Sequence, residues 1–207
     1  METGDREPRV FLLSPATPSG VRAAQLTSSR ARFDAAQRYR SPEGVTVEEA
    51  FTFMSSLYFR GKITYARHFA LPPPELAPGT ADDGILVIAP GFGLMPPSWR
   101  LTEERMRKLR RTPVDLKNRS YCEPLRQHAR QLREIAPTSR VVLLGSVATG
   151  KYVDLLLPVF GDRLLFPRDF AGAGDMKRGG MLLRAVRENR ELDYVTLDAP
   201  RRRARAS

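Results

Sequence analysis

Apolar residues fall in short runs bounded by glycine, proline or polar residues, and the longer stretches between them carry apolar positions at helical spacing. Arg9–Leu13, Ile85–Ala89, Arg140–Leu144 and Leu164–Phe166 are too short for helices and rich in Val, Ile, Leu and Phe, so they predict buried strands. Val21–Arg40 predicts a single helix, with Val21, Ala24, Phe33, Ala36 and Gln37 turned inward. Thr46 followed three residues later by Glu49 is a capping box that opens a helix through Leu57. Tyr58–Ala70 either continues it or forms a second helix after a bend near Gly61. Thr102–Arg110 and Tyr121–Ile135 are further helices, the first capped by Thr102 with glutamates in its opening turn, and a helix-like segment follows the glycine-rich loop after each of the last two strands. Leu71–Asp83, with Pro72, Pro73, Pro74 and Pro78, is a loop, and Tyr194–Leu197 suits a short edge strand. Strands alternating with helices imply a three-layer α/β domain around a central, mainly parallel sheet of four to five strands. The domain is expected to run over 1–198, with a basic disordered tail over 199–207.

In an open α/β sheet, ligands bind outside the carboxyl ends of the strands. The loops after the predicted strands are therefore where chemistry is expected. Gly145–Lys151 fits the phosphate-loop spacing G-x-x-x-x-G-K after a strand. Tyr152 stands where the magnesium-holding hydroxyl belongs, which disfavours a nucleotide triphosphatase. Lys151 can still add charge to a helix N-terminus holding one phosphate; a plain strand-to-helix turn is the alternative.

The loop Asp169–Gly180 gathers Asp169, Asp175, Lys177 and Arg178 among glycines. Gly174, Gly179 and Gly180 suggest an anion-binding nest, with Lys177 and Arg178 beside it. Asp175 inside that positive setting suits stabilising a cationic sugar or orienting a water; a helix cap is the other reading. In Pro90–Pro97, Phe92 between Gly91 and Gly93 can offer a ring face to a base. Tyr58-Phe-Arg-Gly-Lys62 interleaves aromatic and basic residues, which makes Arg60 and Lys62 candidate phosphate contacts. His68 and His128 lie away from these loops and are read as structural. Cys122 reads as a small buried apolar residue.

Composition narrows the partners. The net charge of +11 is not owed to the tail alone, because the four arginines at 201, 202, 203 and 205 supply fewer than half of it. Such a surplus points to a polyanion, and nucleic acid is the expected one. Arg100–Arg119 adds eight basic residues against three acids, a stripe fit for a phosphate backbone or simply a solvated face. No apolar run is long enough to span a membrane. One cysteine excludes an intramolecular disulfide and suits a reducing cytoplasm. With two histidines and one cysteine, a metal site is not expected.

Several of these loops together resemble the uracil-DNA glycosylase superfamily. The similar elements are Val10–Leu13 into Ser14-Pro15, Ile85–Ala89 into Pro90-Gly91, Val142-Leu-Leu-Gly145, and Phe166-Pro167 with Arg178-Gly179 downstream. The last is similar to that family's His-Pro-Ser stretch followed by an Arg-Gly pair. Tyr58-Phe-Arg60 with Tyr65-Ala66, and Ala89–Leu94 ahead of Pro96-Pro97, also resemble the related domains of archaeosine synthase and of deazaguanine-associated proteins. The resemblance spans Arg9 to Arg184.

It implies a DNA glycosylase-like enzyme that hydrolyses the N-glycosidic bond of an unusual or modified base, in repair or anti-phage defence. It implies no cofactor, and a monomer is favoured. Two departures bear on mechanism. Ser14–Gly20 holds no acid or amide to handle water, and Phe166 replaces the family's histidine. Catalysis is therefore expected from Asp175, with Asp169 next. Ser14, Thr17, Gly91, Phe92, Gly145 and Ser146 are expected to form the base and sugar pocket. Lys151, Lys177, Arg178, Gly179, Arg60 and Lys62 are expected to hold nucleic-acid phosphates. The alternatives are a non-catalytic nucleic-acid or modified-nucleotide binding module, and then a phosphohydrolase or nucleotide kinase.

Overall fold

The structure, a computed structural model, describes residues 7–55, 57–76 and 84–196. The predicted tail and its boundary at 198 lie outside the described residues, as does Leu197. The chain runs β1 (Arg9–Leu13), α1 (Val21–Thr27), α2 (Asp34–Arg40), β2 (Val45–Thr46), α3 (Val47–Ser55), α4 (Leu57–Phe69), β3 (Ile85–Ala89), β4 (Gly93–Met95), β5 (Arg100–Leu101), α5 (Glu103–Arg110), α6 (Arg119–Ile135), β6 (Arg140–Leu144), α7 (Val153–Phe160), β7 (Leu164–Pro167), α8 (Asp175–Arg187) and β8 (Tyr194–Thr196).

The central sheet has six strands rather than four to five, in the order β4-β3-β1-β6-β7-β8. The four predicted strands form its parallel middle, and antiparallel β4 and β8 close the two edges. The sequence expectation missed β4 because its three residues follow Pro90-Gly91 and read as loop. β2 and β5 form a separate antiparallel pair. The apolar runs predict strands well because the middle of the sheet is buried on both faces; all five residues of β3 are buried.

The connection from β1 to β3 travels one way along the sheet. Those from β3 to β6 and from β6 to β7 travel the other way. Right-handed crossovers therefore put their helices on opposite faces. α4 packs on α8, and α6 packs on α7. Mixed α/β architecture with helices on a mostly parallel sheet is thus what the sequence pattern led one to expect.

Two helix expectations need correction. Val21–Arg40 is two helices, α1 and α2, and Val21 is 75% exposed rather than inward. Ser28–Phe33 breaks the run, and the Arg40 guanidinium spans the break by donating to the carbonyls of Ser28 and Ala31. Ala23, Leu26, Ala36 and Tyr39 form the inner positions. Gly61 marks no bend. It lies inside α4, where a Cβ would come 2.9 Å from the carbonyl oxygen of Gly179.

The capping box is reciprocal. Glu49 N–H donates to Thr46 Oγ1 at 3.1 Å, and Thr46 N–H donates to Glu49 Oε2 at 3.0 Å. Thr102 caps α5 by accepting from Arg105 N–H.

Candidate functional site

β1 and β6 are neighbours in exact step, with Leu13 beside Leu144. The chain leaves β1 towards the α4 layer and leaves β6 towards the α7 layer. This is the topological switch point of the sheet, where a crevice must open because no connection covers it. A cleft of about 690 Å³ lies there. Its wall includes Ser14 and Thr17 after β1, Pro90 after β3, Ser146 and Lys151 after β6, and Asp175 after β7. All four parallel strands thus send their exit segments to one ligand-sized space, as the strand-loop order predicts.

Tyr58 of α4, Tyr152 at the start of α7 and Arg110 of α5 complete the aromatic and cationic lining. Sequence reasoning did not assign these three to the site. The Arg110 guanidinium is fastened over the β1 exit loop, donating to the carbonyl of Pro18 at 3.0 Å and to Thr27 Oγ1 at 3.2 Å. Tyr121 Oη donates to the carbonyl of Lys151 at 2.8 Å, which fixes the β6 exit loop from α6. Burial raises the Tyr58 phenol to about 12, with Arg178 opposing the shift. Burial also raises the Tyr152 phenol. Both phenols are therefore neutral at ordinary pH.

The feature with the most unusual chemistry lies under Ser14. Lys62 is 1% exposed, and its Nζ donates to the Ser14 carbonyl at 2.5 Å and lies 2.9 Å from Ser14 Oγ. The Tyr58 and Phe59 rings flank it, with centroids 4.4 and 5.0 Å from Nζ. Burial pulls the Lys62 amine down to about 7, Asp175 works against that shift, and Arg178 adds to it. Lys62 was read from sequence as a phosphate contact; its amine instead points into the protein. The signal was present, since Phe59, Lys62, Ile63 and Ala66 make one buried helical stripe, and a lysine on such a stripe is exceptional.

The loop Asp169–Gly180 is also different from its sequence reading. α8 begins at Asp175, so Gly179 and Gly180 lie inside a helix and their N–H groups belong to its ladder. The nest built from Gly174, Gly179 and Gly180 does not form. Gly179 instead meets α4, where a Cβ would come 3.0 Å from the Leu57 carbonyl oxygen.

Arg178 is buried and donates from Nε and Nη2 to the Phe170 carbonyl at 3.2 and 3.1 Å, so it is not offered to a flanking phosphate. Its Nη1 reaches Asp175 Oδ1 at 3.5 Å. The Asp175 side chain is 71% exposed at the mouth of the cleft. It occupies the first turn of α8 and makes no cap, the N-cap being Gly174. Asp169 sits in a short 3-10 turn, exposed and outside the cleft wall. Lys177 and Arg60 are exposed elsewhere.

Phe92 does not line the cleft. Its ring packs on Trp99 at 4.8 Å, and Lys108 Nζ lies 4.4 Å from its centroid. Gly91, at φ 86°, turns β3 into β4 beside Thr112 and Lys108. Gly145 is a near neighbour of the cleft through Ser14: a Cβ there would come 3.0 Å from the Ser14 Cβ. His128 Nδ1 pairs with the backbone of Leu94 and His68 with Asn189, as structural histidines do. Cys122 is buried, its thiol raised by burial. Among the described residues no group of three or more His, Cys, Asp or Glu is placed to hold a metal ion, and no helix is long and apolar enough to cross a membrane.

Compared with known proteins, the chain matches no family model, no curated protein and no solved structure.

Proposed function

We propose that the cleft binds a nucleotide unit of a nucleic acid, DNA in the first instance, and hydrolyses its N-glycosidic bond, on a fold of the uracil-DNA glycosylase type. The observation that carries this reading is the placing of the Asp175 carboxylate, the Ser14 and Ser146 hydroxyls and the Lys151 side chain around one cleft at the switch point of the sheet. Breaking a glycosidic bond develops positive charge on the sugar, and a fixed carboxylate stabilises it. Tyr58 and Tyr152, buried aromatic residues in the cleft wall, would border a base turned out of its stack, whereas the sequence had given the aromatic part to Phe92. Lys151 and Arg110 offer charge to the phosphates on either side. Ser14, Thr17 and Ser146 offer hydrogen bonds to the base edge and sugar. The chain's +11 charge fits a polyanionic substrate.

The test is incubation of the protein with DNA duplexes and single strands carrying different modified bases. Alkali cleavage then scores abasic sites, and mass spectrometry identifies the released base. Release of a free base supports the reading. Salt-sensitive DNA binding with no base released from any substrate would move the cleft to the class of non-catalytic binding modules.

A further inference from the structure

We propose that Ser14 and Lys62 form a hydroxyl–amine pair that activates the attacking water in the cleft, with Lys62 Nζ as the final proton acceptor. The proposal rests on the hydrolytic reading above and supplies what the β1 exit loop lacks, since Ser14–Gly20 contains no acid or amide.

The geometry has three parts. Ser14 lines the cleft, and its Oγ lies 2.9 Å from an amine that does not line it. Lys62 can therefore reach a substrate only through Ser14. Second, the amine has no carboxylate in an ion pair among the described residues; its hydrogen-bond partners are the two oxygens of Ser14. An ammonium carries three donors, whereas a neutral amine carries two and a lone pair. The neutral form fits this cage: one N–H goes to the Ser14 carbonyl and the other faces the Tyr58 ring, its centroid 4.4 Å away. The 2.9 Å between Nζ and Ser14 Oγ is then free to run the other way, the amine lone pair accepting the hydroxyl proton.

Third, a lysine on the inner stripe of α4 carries a desolvation cost that Leu or Met would avoid. An amine kept there without a carboxylate partner is poised to change its protonation state. The charged and titratable groups facing it are Tyr58 on its own helix and Asp175 and Arg178 on α8; the β1 side offers only the oxygens of Ser14. Burial is the largest influence on the amine and brings it to about 7, where a general base works best at neutral pH.

The C1′–N bond breaks and its electron pair leaves with the base. A water oxygen bonds to C1′ and passes a proton to Ser14 Oγ. Ser14 passes its own proton to Lys62 Nζ. The ammonium then returns its proton to solvent through Ser14, and the departed base takes up one from solvent.

An activated hydroxyl also attacks small electrophiles, so the pair can be tested without DNA. The protein is treated with an arylsulfonyl fluoride over roughly pH 5 to 9, which brackets a useful base. Ser14 Oγ would bond to sulfur as fluoride leaves and Lys62 takes the proton. The expected result is modification at Ser14, located by peptide mass spectrometry, with a rate that rises through neutral pH and then levels. Lys62→Met should lower that rate on the order of a hundredfold and flatten the pH profile, while Ser14→Ala removes the modification.

Equal rates and profiles in wild type and folded Lys62→Met would overturn the pair, as would an absence of modification at Ser14. Should Lys62→Met fail to fold, the Nζ nitrogen resonance of Lys62 in the wild-type protein decides: titration near neutrality supports the pair, and titration in the ordinary lysine range, about 10.4, overturns it. Failure of the parent reading looks different. Ser14 modified with the expected profile, but no base released from any DNA, keeps the pair and ends the glycosylase reading. Base release at the wild-type rate by Ser14→Ala keeps the glycosylase and ends the pair.

Discussion

Gly61 of α4 and Gly179 of α8 meet backbone to backbone: a Cβ on Gly61 would come 2.9 Å from the Gly179 carbonyl oxygen, and one on Gly179 would come 3.1 Å from the Tyr58 Cα. Neither neighbour is a flexible side chain that can swing away. Gly179→Ala should therefore push the helices apart and destabilise the fold by about 1–3 kcal/mol, the ordinary cost of overpacking. Ala's better helix propensity offsets up to about 1 kcal/mol of that. A thermal melt should fall by several degrees, and an unchanged melting temperature would show that the two helices can separate without penalty. α4 carries Tyr58 and Lys62 and α8 carries Asp175, so any activity of the cleft should fall with it.

Asp175→Asn should abolish most base release, on the order of a hundred- to a thousandfold, the usual loss when one preorganised electrostatic group is removed from a transition state. The cost to stability should stay within about 1 kcal/mol, because the carboxylate sits in the first turn of α8 without capping it. DNA affinity should hold or tighten. Single-turnover excision and a melt on the same variant measure both, and wild-type excision would remove Asp175 from the mechanism.

Lys62→Met should make stability less dependent on pH. In the folded chain the amine titrates near 7 instead of its ordinary 10.5. Between those values the unfolded chain holds a proton there that the folded chain does not. Stability from this site therefore rises with pH across that window and is lowest at and below neutrality. Wild type should gain on the Met variant as pH is raised from 7 towards 10. Equilibrium denaturation of both proteins at several pH values tests this, and a constant difference between them would contradict the neutral, buried amine.

Nucleic-acid binding should weaken steeply with salt, because basic contacts displace condensed counterions. The basic stripe over Arg100–Arg119 and the +11 charge motivate this. Deleting Pro200–Ser207 should weaken duplex binding and spare base release. Fluorescence anisotropy at two salt concentrations is sufficient, and a flat response would count against a polyanion substrate.

The parallel middle of the sheet was legible because strands buried on both faces read as unbroken apolar runs, as Val141–Leu144 does. The convergence of Ser14, Ser146 and Asp175 followed from strand order alone. What escaped were features decided by partners distant in sequence. β4 becomes a strand through its antiparallel pairing with β3. Gly179, which looked like part of an anion nest, is a contact point for a helix more than a hundred residues away. Charge was the other source of error. Lys62 and Arg178 read as surface cations, yet each lies on the inner stripe of its helix and donates to a backbone carbonyl oxygen. A search for lysine or arginine at the i, i+3, i+4 positions of an apolar stripe would have found both.

The cleft's rims belong to different layers of the molecule: Tyr58 and Asp175 stand on α4 and α8, and Lys151 and Tyr152 lead into α7 on the far side of the sheet. Any molecule seated between them acts as a cross-brace, adding a tie between helix layers on opposite faces of the sheet. Occupancy of the cleft is therefore coupled to resistance of the whole protein to unfolding, and a compound that fits can be recognised by how much hotter the protein must be made before it melts, before any reaction on it is known.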